Sequence, residues 1–342
     1  MQYRTRILEN QQHCFPLPVT HDPPTLELEF LRRLRSQSFI SQSEATRPEV
    51  ILGIGDDAAV LASSVNKMVL TVDLLTEGVD FLLEQTDPVL IGRKALAVNL
   101  SDLAAMAAVP TAILIAVSLP RNNRQTAVGT LSPLELGERL FEGIRTLAGQ
   151  YHVAIIGGDT NTWDGGLVLS ITAVGEPTEH GVTRRSGAKP GDRIFVTGPL
   201  GGSILGRQFT FEPRVREALH LNAHYNIHAA MDISDGLSLD LSRLADESGC
   251  GAILWETAIP IADDAKRMND DLTPLEHALY DGEDFELLLT VSPQTAETLL
   301  ADRPFENPLY EIGEITKAEN RPIRILTQDG VLHDHTPRGF TH

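Results

Sequence analysis

Carboxylates recur along this chain where short strands and helices end, most of them beside glycine. They occur in Gly55-Asp56-Asp57, at Asp73, at Asp102, in Gly158-Asp159, in Asp232-Ile233-Ser234-Asp235-Gly236 and in Gly282-Glu283-Asp284. Hard oxygen ligands of this kind suit Mg²⁺, which keeps waters and substrate phosphates in the rest of its shell. Asp232 and Asp235 are three residues apart, so at a helix start they point to neighbouring positions. Each cluster also has a plainer reading, because Asp-Gly is a common turn and Asp a common helix cap. Asp102 stands apart. It lies in an apolar run beside Asn99, where a carboxylate needs a partner or a metal.

Other chemistries are excluded by the residues that are missing. The chain has no GxxxxGK[ST] loop and no kinase glycine loop or catalytic-loop pattern. The glycines at 198, 201, 202 and 206 do not have dinucleotide-binding spacing. No HExxH or CxxC points to zinc. The two cysteines, Cys14 and Cys250, cannot form a disulfide framework and suit a reducing compartment.

These residues sit in a chain of 342 amino acids with 28 basic and 47 acidic side chains, a formal charge of −19. So acidic a chain is unsuited to general nucleic-acid or anionic-membrane binding. It can still bind a nucleotide by lending carboxylates to a metal. No apolar run is long enough to span a membrane and the N-terminus lacks a signal-peptide core. The expectation is a soluble cytoplasmic protein.

The elements that must position the acids follow from periodicity. Apolar spacing predicts a helix over 26–34, and strands at 50–54 and 68–72, the second closing on Asp73. The Ala- and Leu-rich stretch 91–108 predicts a helix stopped by Pro110, with Ala95, Asn99 and Asp102 on one face. A strand follows at 111–119 and a helix at 134–148. A short strand at 153–156 runs into Gly157-Gly158-Asp159-Thr160, with 167–174 as its hairpin partner around Asp164-Gly165-Gly166. A polar, turn-rich segment at 184–192 reads as a domain boundary. Beyond it come a strand at 193–197, the turn 231–236 before a helix at 237–247, and a strand at 285–291. The class is α/β (α+β) in two domains: an N-terminal arm over 1–25, a first domain over 26–182 and a second over 183–342.

Taken in order, GIGDDAAV (53–60), TVDLLTEGVDF (71–81), KALAVNLSDLAAMAAVP (94–110), GGDT (157–160), TRRSGAKPGD (183–192), MDISDGLSLDL (231–241) and DGEDFELLLTV (281–291) resemble thiamine-monophosphate kinase. NLSDLAAM, GGDT and DISDGL in that order mark the wider superfamily. That superfamily includes aminoimidazole ribonucleotide synthetase, selenophosphate synthetase and the hydrogenase-maturation dehydratase. The TRSGAKPGD-like and GEDFEL segments favour the thiamine enzyme. A selenophosphate synthetase would carry a reactive Cys or selenocysteine near a Lys in its N-terminal loop, and here Cys14 has no such neighbour. The maturation protein ends in a reactive Cys, whereas this chain ends in Thr341-His342.

The resemblance implies a mixed N-terminal sheet with helices that pairs across a homodimer, a C-terminal α/β layer, and ATP in the cleft between them. It implies Mg²⁺ ligands at Asp56, Asp73, Asp102, Asp159, Asp232 and Asp235, with Thr71 and Val72 at further metal-site positions. Gly158, Asp159, Arg185 and Ser234 match ATP contacts. Asp80, Glu283 and Phe340 match substrate contacts, and Phe141 a position near adenine. Two departures stand out: Val72 offers no side-chain oxygen where the family can have Thr, and Asp80 replaces a frequent His. The activity implied is direct, Mg-assisted transfer from ATP to thiamine monophosphate. Another ATP-dependent reaction of the superfamily, or a silent ATP-binding module, stays open at this point.

Overall fold

The computed structural model describes residues 50–52, 56–62, 67–318 and 323–340. The expected helix over 26–34, the N-terminal arm and Cys14 lie outside the described residues. The first sheet has six strands: β1 (Val50–Leu52), β2 (Ala59–Ala62), β3 (Lys67–Thr76), β4 (Ala108–Pro120), β7 (Ala154–Trp163) and β8 (Val168–Pro177). Their order is β1-β2-β3-β8-β4-β7, antiparallel except for the parallel pair β4–β7. A small ribbon, β5 (Arg124–Thr126) with β6 (Gly129–Leu131), stands apart.

Two helices of 18 residues accompany this sheet, α1 (Pro88–Ala105) and α2 (Pro133–Gln150). Both begin with Pro at the first turn behind an oxygen-bearing cap, Asp87 for α1 and Ser132 for α2. Proline there loses no helical hydrogen bond, and the cap satisfies an orphan backbone donor. The two helices cross closely. A methyl group at Gly92 would stand 2.0 Å from the Leu140 carbonyl oxygen, and one at Gly143 would stand 1.9 Å from that of Val89. The missing side chains are what let the backbones touch. Almost the whole of α1 is buried, because it also packs on β3, β4, β8 and β10 (Ile227–Asp232).

The second sheet has seven strands, ordered β10-β12-β9-β13-β11-β14-β15. The strands besides β10 are β9 (Arg193–Val196), β11 (Cys250–Trp255), β12 (Leu287–Val291), β13 (Tyr310–Lys317), β14 (Ile323–Leu326) and β15 (Leu332–His335). Five helices serve this half: α3 (Val215–His224), α4 (Leu237–Ser248), α5 (Asp263–Arg267), α6 (Pro274–Tyr280) and α7 (Pro293–Asp302). Leu237, Leu241, Leu244 and Ala245 of α4 fall at helical spacing and join the core formed with β9, β11 and β12. The mixed α/β class is thus the observed one.

Several element expectations change. Helix α1 ends at Ala105, and Pro110 lies inside β4, where the pairing with β8 slips between Pro110 and Ala112. The turn out of the helix is made by Met106 and by Ala107 at φ 50°. Strand β3 continues past Asp73 to Thr76. Gly157-Gly158-Asp159-Thr160 is strand within β7 rather than a loop. Strands β7 and β8 do not form a hairpin, because β4 lies between them and pairs with both. A connection of four residues suggested adjacency, but the apolar inner face of β8 takes the central position between β3 and β4.

Candidate active site

Helix α1 brings the first sheet and the second together at its C-terminal end. Among the described residues, one group of three carboxylates gathers there: oxygens of Asp57, Asp102 and Asp232 lie within 4.8 Å of one another. Asp57 follows β1, Asp102 sits one turn from the end of α1, and Asp232 ends β10. Asp57 and Asp232 are buried. Thr71 of β3 donates its hydroxyl to Asp102 Oδ2, and Ser101 donates to Asp232 Oδ2 at 2.6 Å.

Such crowding disfavours three separate anions. Burial, then the charges of Asp73, Asp232 and Asp57, hold the Asp102 carboxyl well above the usual carboxylate range. Burial and then Asp57 do the same to Asp232. Burial and Asp57 push Asp56 up to about 6. The donor set therefore fits a divalent hard cation: oxygen atoms only, gathered at one place, and raised in energy when left as anions without one.

A cationic side chain already enters this cluster. Arg185 forks onto Asp57, with Nε donating to Oδ2 at 2.9 Å and Nη2 to Oδ1 at 2.7 Å. Its backbone N–H donates to Asp56 Oδ1 at 3.2 Å. Planar two-point contact of this kind is what guanidinium does best with carboxylate or phosphate.

The DISDG turn supplies the next layer. Asp240 of α4 accepts from the backbone N–H groups of Ser234 (3.0 Å) and Asp235 (2.9 Å), so it fixes the turn from within. Its carboxyl is pushed up to about 7 by burial and by Asp235. Arg243 bridges the two acids, 2.6 Å from Asp235 Oδ2 and 2.8 Å from Asp240 Oδ1. The backbone carbonyl of Ser234 accepts from Glu283 N–H at 2.7 Å, and that of Asp235 accepts from Phe340 N–H at 2.8 Å. Glu283 and Phe340, far apart in sequence, are thereby pinned to one turn.

Not every expected residue joins the cluster. Asp57, rather than its neighbour Asp56, meets Asp102 and Asp232. Thr71 is buried and reaches Asp102, whereas the side chain of Val72 is 62% exposed on the opposite face of β3. Asp73 is close enough to Asp102 to raise it electrostatically. Gly158 and Asp159 are exposed on the edge strand β7, and Asp159 is not one of the gathered three. Asp80 is buried and closes its own turn, its Oδ2 accepting from Thr76 N–H at 2.7 Å. Phe141 of α2 is 45% exposed.

Sequence reasoning placed Asp57 in a candidate carboxylate cluster but gave the ligand role to Asp56, and it did not single out Ser101, Asp240, Arg243 or Lys94. The doubled acid in Gly55-Asp56-Asp57 and a lysine inside an apolar helix were visible signals.

The models for the AIR synthase related protein, N-terminal domain, and AIR synthase related protein, C-terminal domain, match residues 55–176 and 189–324. A thiamine-monophosphate kinase of Rhodopirellula baltica is 39% identical over 327 residues, covering 93% of this chain and 97% of the relative. The chain belongs to the thiamine-monophosphate kinase family. The Bacillus subtilis member is 31% identical over 86% of this chain and 94% of its own. A solved structure described as AaThiL complexed with AMPPCP and TMP superposes with a TM-score of 0.73 at 28% identity, covering 91% of this chain and 98% of that one. The thiamine-monophosphate kinase from Stenotrophomonas maltophilia gives 0.66 at 33% identity, covering 86% and 96%. Hydrogenase-maturation proteins share the fold at 18–21% identity. Among the described residues of this family member, no helix is long and apolar enough to cross a membrane.

Proposed function

We infer that this chain transfers the terminal phosphoryl group of ATP to thiamine monophosphate, giving thiamine diphosphate and ADP. The observation that carries the reading is the gathering of Asp57, Asp102 and Asp232 at one point, in a chain whose relatives bear that enzyme name. AaThiL, described as complexed with AMPPCP and TMP, supports an ATP analogue and a phosphorylated acceptor on this fold.

Phosphoryl transfer asks the protein for alignment and charge neutralisation more than for covalent chemistry. Asp57, Asp102 and Asp232 would hold Mg²⁺, with Thr71, Asp73, Asp159 and Asp235 as further candidate ligands. Bound there, Mg²⁺ supplies the positive charge that lets a triphosphate and a phosphate acceptor share one site. The protein's own parts then have separate tasks. Ser101 and Thr71 orient the carboxylates they donate to. Arg185 offers a planar cation that can exchange Asp57 for phosphate. Asp240 keeps the backbone of Ser234 and Asp235 in one conformation. Gly158 leaves an open backbone edge for ATP, and Glu283, Phe340 and Asp80 stand on the acceptor side. No side chain is asked to carry a phosphoryl group, so transfer is direct.

The same reading includes a homodimer built on the first sheet and a cytoplasmic setting, which suits a buried free thiol at Cys250. The test is to incubate the purified chain with ATP, Mg²⁺ and thiamine monophosphate. Equal amounts of thiamine diphosphate and ADP are expected. Tight ATP binding without thiamine diphosphate would leave only a nucleotide-binding module or a different acceptor, and the reading would be wrong.

A further inference from the structure

Lys94 sits mid-way along α1 and its side chain is wholly buried. A lysine in such a place needs partners for its charge. Nζ donates to the Asp80 carbonyl oxygen at 3.1 Å and to Gln208 Oε1 at 2.8 Å, and it forms an ion pair with Glu283 Oε2. The Phe209 ring lies below it, 5.2 Å from Nζ to the centroid. The three acceptors come from the turn after β3, the segment Arg207–Phe209 and the loop before β12. One ammonium therefore ties three distant stretches to the helix that carries Asp102.

The Glu283 loop needs such a tie. Glu283 and Phe285 both have left-handed backbone, φ 61° and 51°, on either side of Asp284. Non-glycine residues hold that conformation only where surrounding contacts over-determine it. Here the backbone is stapled to the DISDG turn, with Glu283 N–H on the Ser234 carbonyl and Phe285 N–H on that of Ile233 at 2.8 Å. The side chain is stapled by Lys94. Only one carboxylate oxygen is used in this way. Glu283 Oε1 receives no hydrogen bond among the described residues, and the side chain keeps 14% of its exposure.

We propose that Lys94 is a positioning residue for the phosphoryl acceptor: it locks the Glu283 carboxylate with one oxygen inward and presents the other to an N–H donor on the acceptor's heterocycle. The pairing also cancels most of the charge on Glu283. What remains is a directional acceptor that does not repel the two polyanions meeting nearby. The inference rests on the reading of the site as a thiamine-monophosphate site and deepens it.

Four proteins test it: wild type, Lys94→Met, Glu283→Gln and the double variant Lys94→Met/Glu283→Gln. Each is measured for KM with either substrate, kcat and Tm. Lys94→Met is expected to raise KM for thiamine monophosphate at least tenfold while KM for ATP stays within twofold. Its Tm should fall, because Glu283 loses its counter-charge. The double variant removes both charges, so its Tm should recover, since deleting a buried pair costs less than breaking it. Its KM for thiamine monophosphate should stay raised and match that of Glu283→Gln alone, as two residues acting through one contact do not add. If Lys94→Met does not fold, the charge-balanced double variant carries the same comparison. A double variant with wild-type KM overturns the proposal. So does a Lys94→Met that changes kcat and both KM values in parallel. A wild type that leaves thiamine monophosphate unphosphorylated overturns the reaction itself, and is told apart because no variant is needed to see it.

Discussion

Asp102 shows most directly how the site stores an unfavourable arrangement for later use. Three carboxylates within 4.8 Å would repel by roughly 3 kcal/mol per pair at an effective dielectric of about 20. That is a large fraction of a domain's typical net stability of roughly 5–15 kcal/mol. Protonation or a cation must relieve it, which is the physical content of the raised Asp102 and Asp232. Asp102→Asn removes one charge and keeps the shape. In metal-free protein it should raise Tm by a few degrees, and it should abolish the further rise that Mg²⁺ gives the wild type. Turnover should drop by about three orders of magnitude. Calorimetry with and without Mg²⁺ checks the stability half independently of activity. A variant that is less stable than wild type without metal would mean that the cluster is held together by something other than relief of repulsion. Much of this was legible in the chain, because a carboxylate in an apolar helix demands an explanation. The choice between Asp56 and Asp57 was not, since adjacent residues differ only in where the backbone after β1 points them.

At the scale of elements, the chain's last described segment is tied to the turn it serves. Arg338 N–H donates to Ser238 Oγ at 3.3 Å, and Ser238 Oγ lies 2.8 Å from His335 Nε2. The His335 ring stacks on Tyr280, and Arg338 lies over the other ring's face within 6.0 Å. Together these contacts deliver Phe340 to Asp235. Burial, then the charge of Arg338, lowers the His335 imidazole to about 4 from its usual 6.5. The sign follows. The docked histidine is neutral, so docking is at full strength above about 6.5 and weakens as pH falls towards 4. Amide exchange over 332–340, corrected for its intrinsic pH dependence, should quicken from pH 6.5 to 5 in wild type and change little in His335→Gln. Equal acceleration in both would show that some other group controls the segment. A glycine makes a second element-scale prediction. A methyl at Gly158 would meet the Ile115 carbonyl oxygen at 1.8 Å across the β4–β7 pair. Gly158→Ala should therefore open that edge and raise KM for ATP at least tenfold, as steady-state kinetics would show. The sequence signalled the elements themselves, and it failed on their neighbours. Period and turn residues mark a strand, but pairing is decided by which apolar face the rest of the fold must cover. That is how β8 came to lie between β3 and β4 instead of beside β7.

For the whole molecule, the first sheet poses the remaining physical question. Its inner face is covered by α1, which packs on β3, β4 and β8. Register identifies what lies on the other side. Val72 of β3 is opposite Thr172 of β8, which is opposite Leu114 of β4, and Leu74 begins the next row through Ser170 to Ala116. Val72 is 62% exposed, Leu74 59%, Leu114 41% and, on β7, Ile156 60%. A run of exposed apolar side chains across three strands is a surface that asks to be covered. The sequence pointed the same way, since strands apolar on both faces must bury both. A second copy of the sheet is the covering that the family resemblance implies. It would also clamp the strand on which Thr71 and Asp73 alternate with Val72 and Leu74, so assembly and site geometry should fail together. Sedimentation at micromolar concentration should give a particle of twice the 37.3 kDa chain mass. Leu74→Asp/Ile156→Asp, which places two charges on that face and leaves the proposed metal ligands untouched, should give a folded monomer with turnover at least tenfold lower. A wild type that sediments as a monomer would remove the dimer. A variant that becomes monomeric with full turnover would keep the dimer and separate it from catalysis.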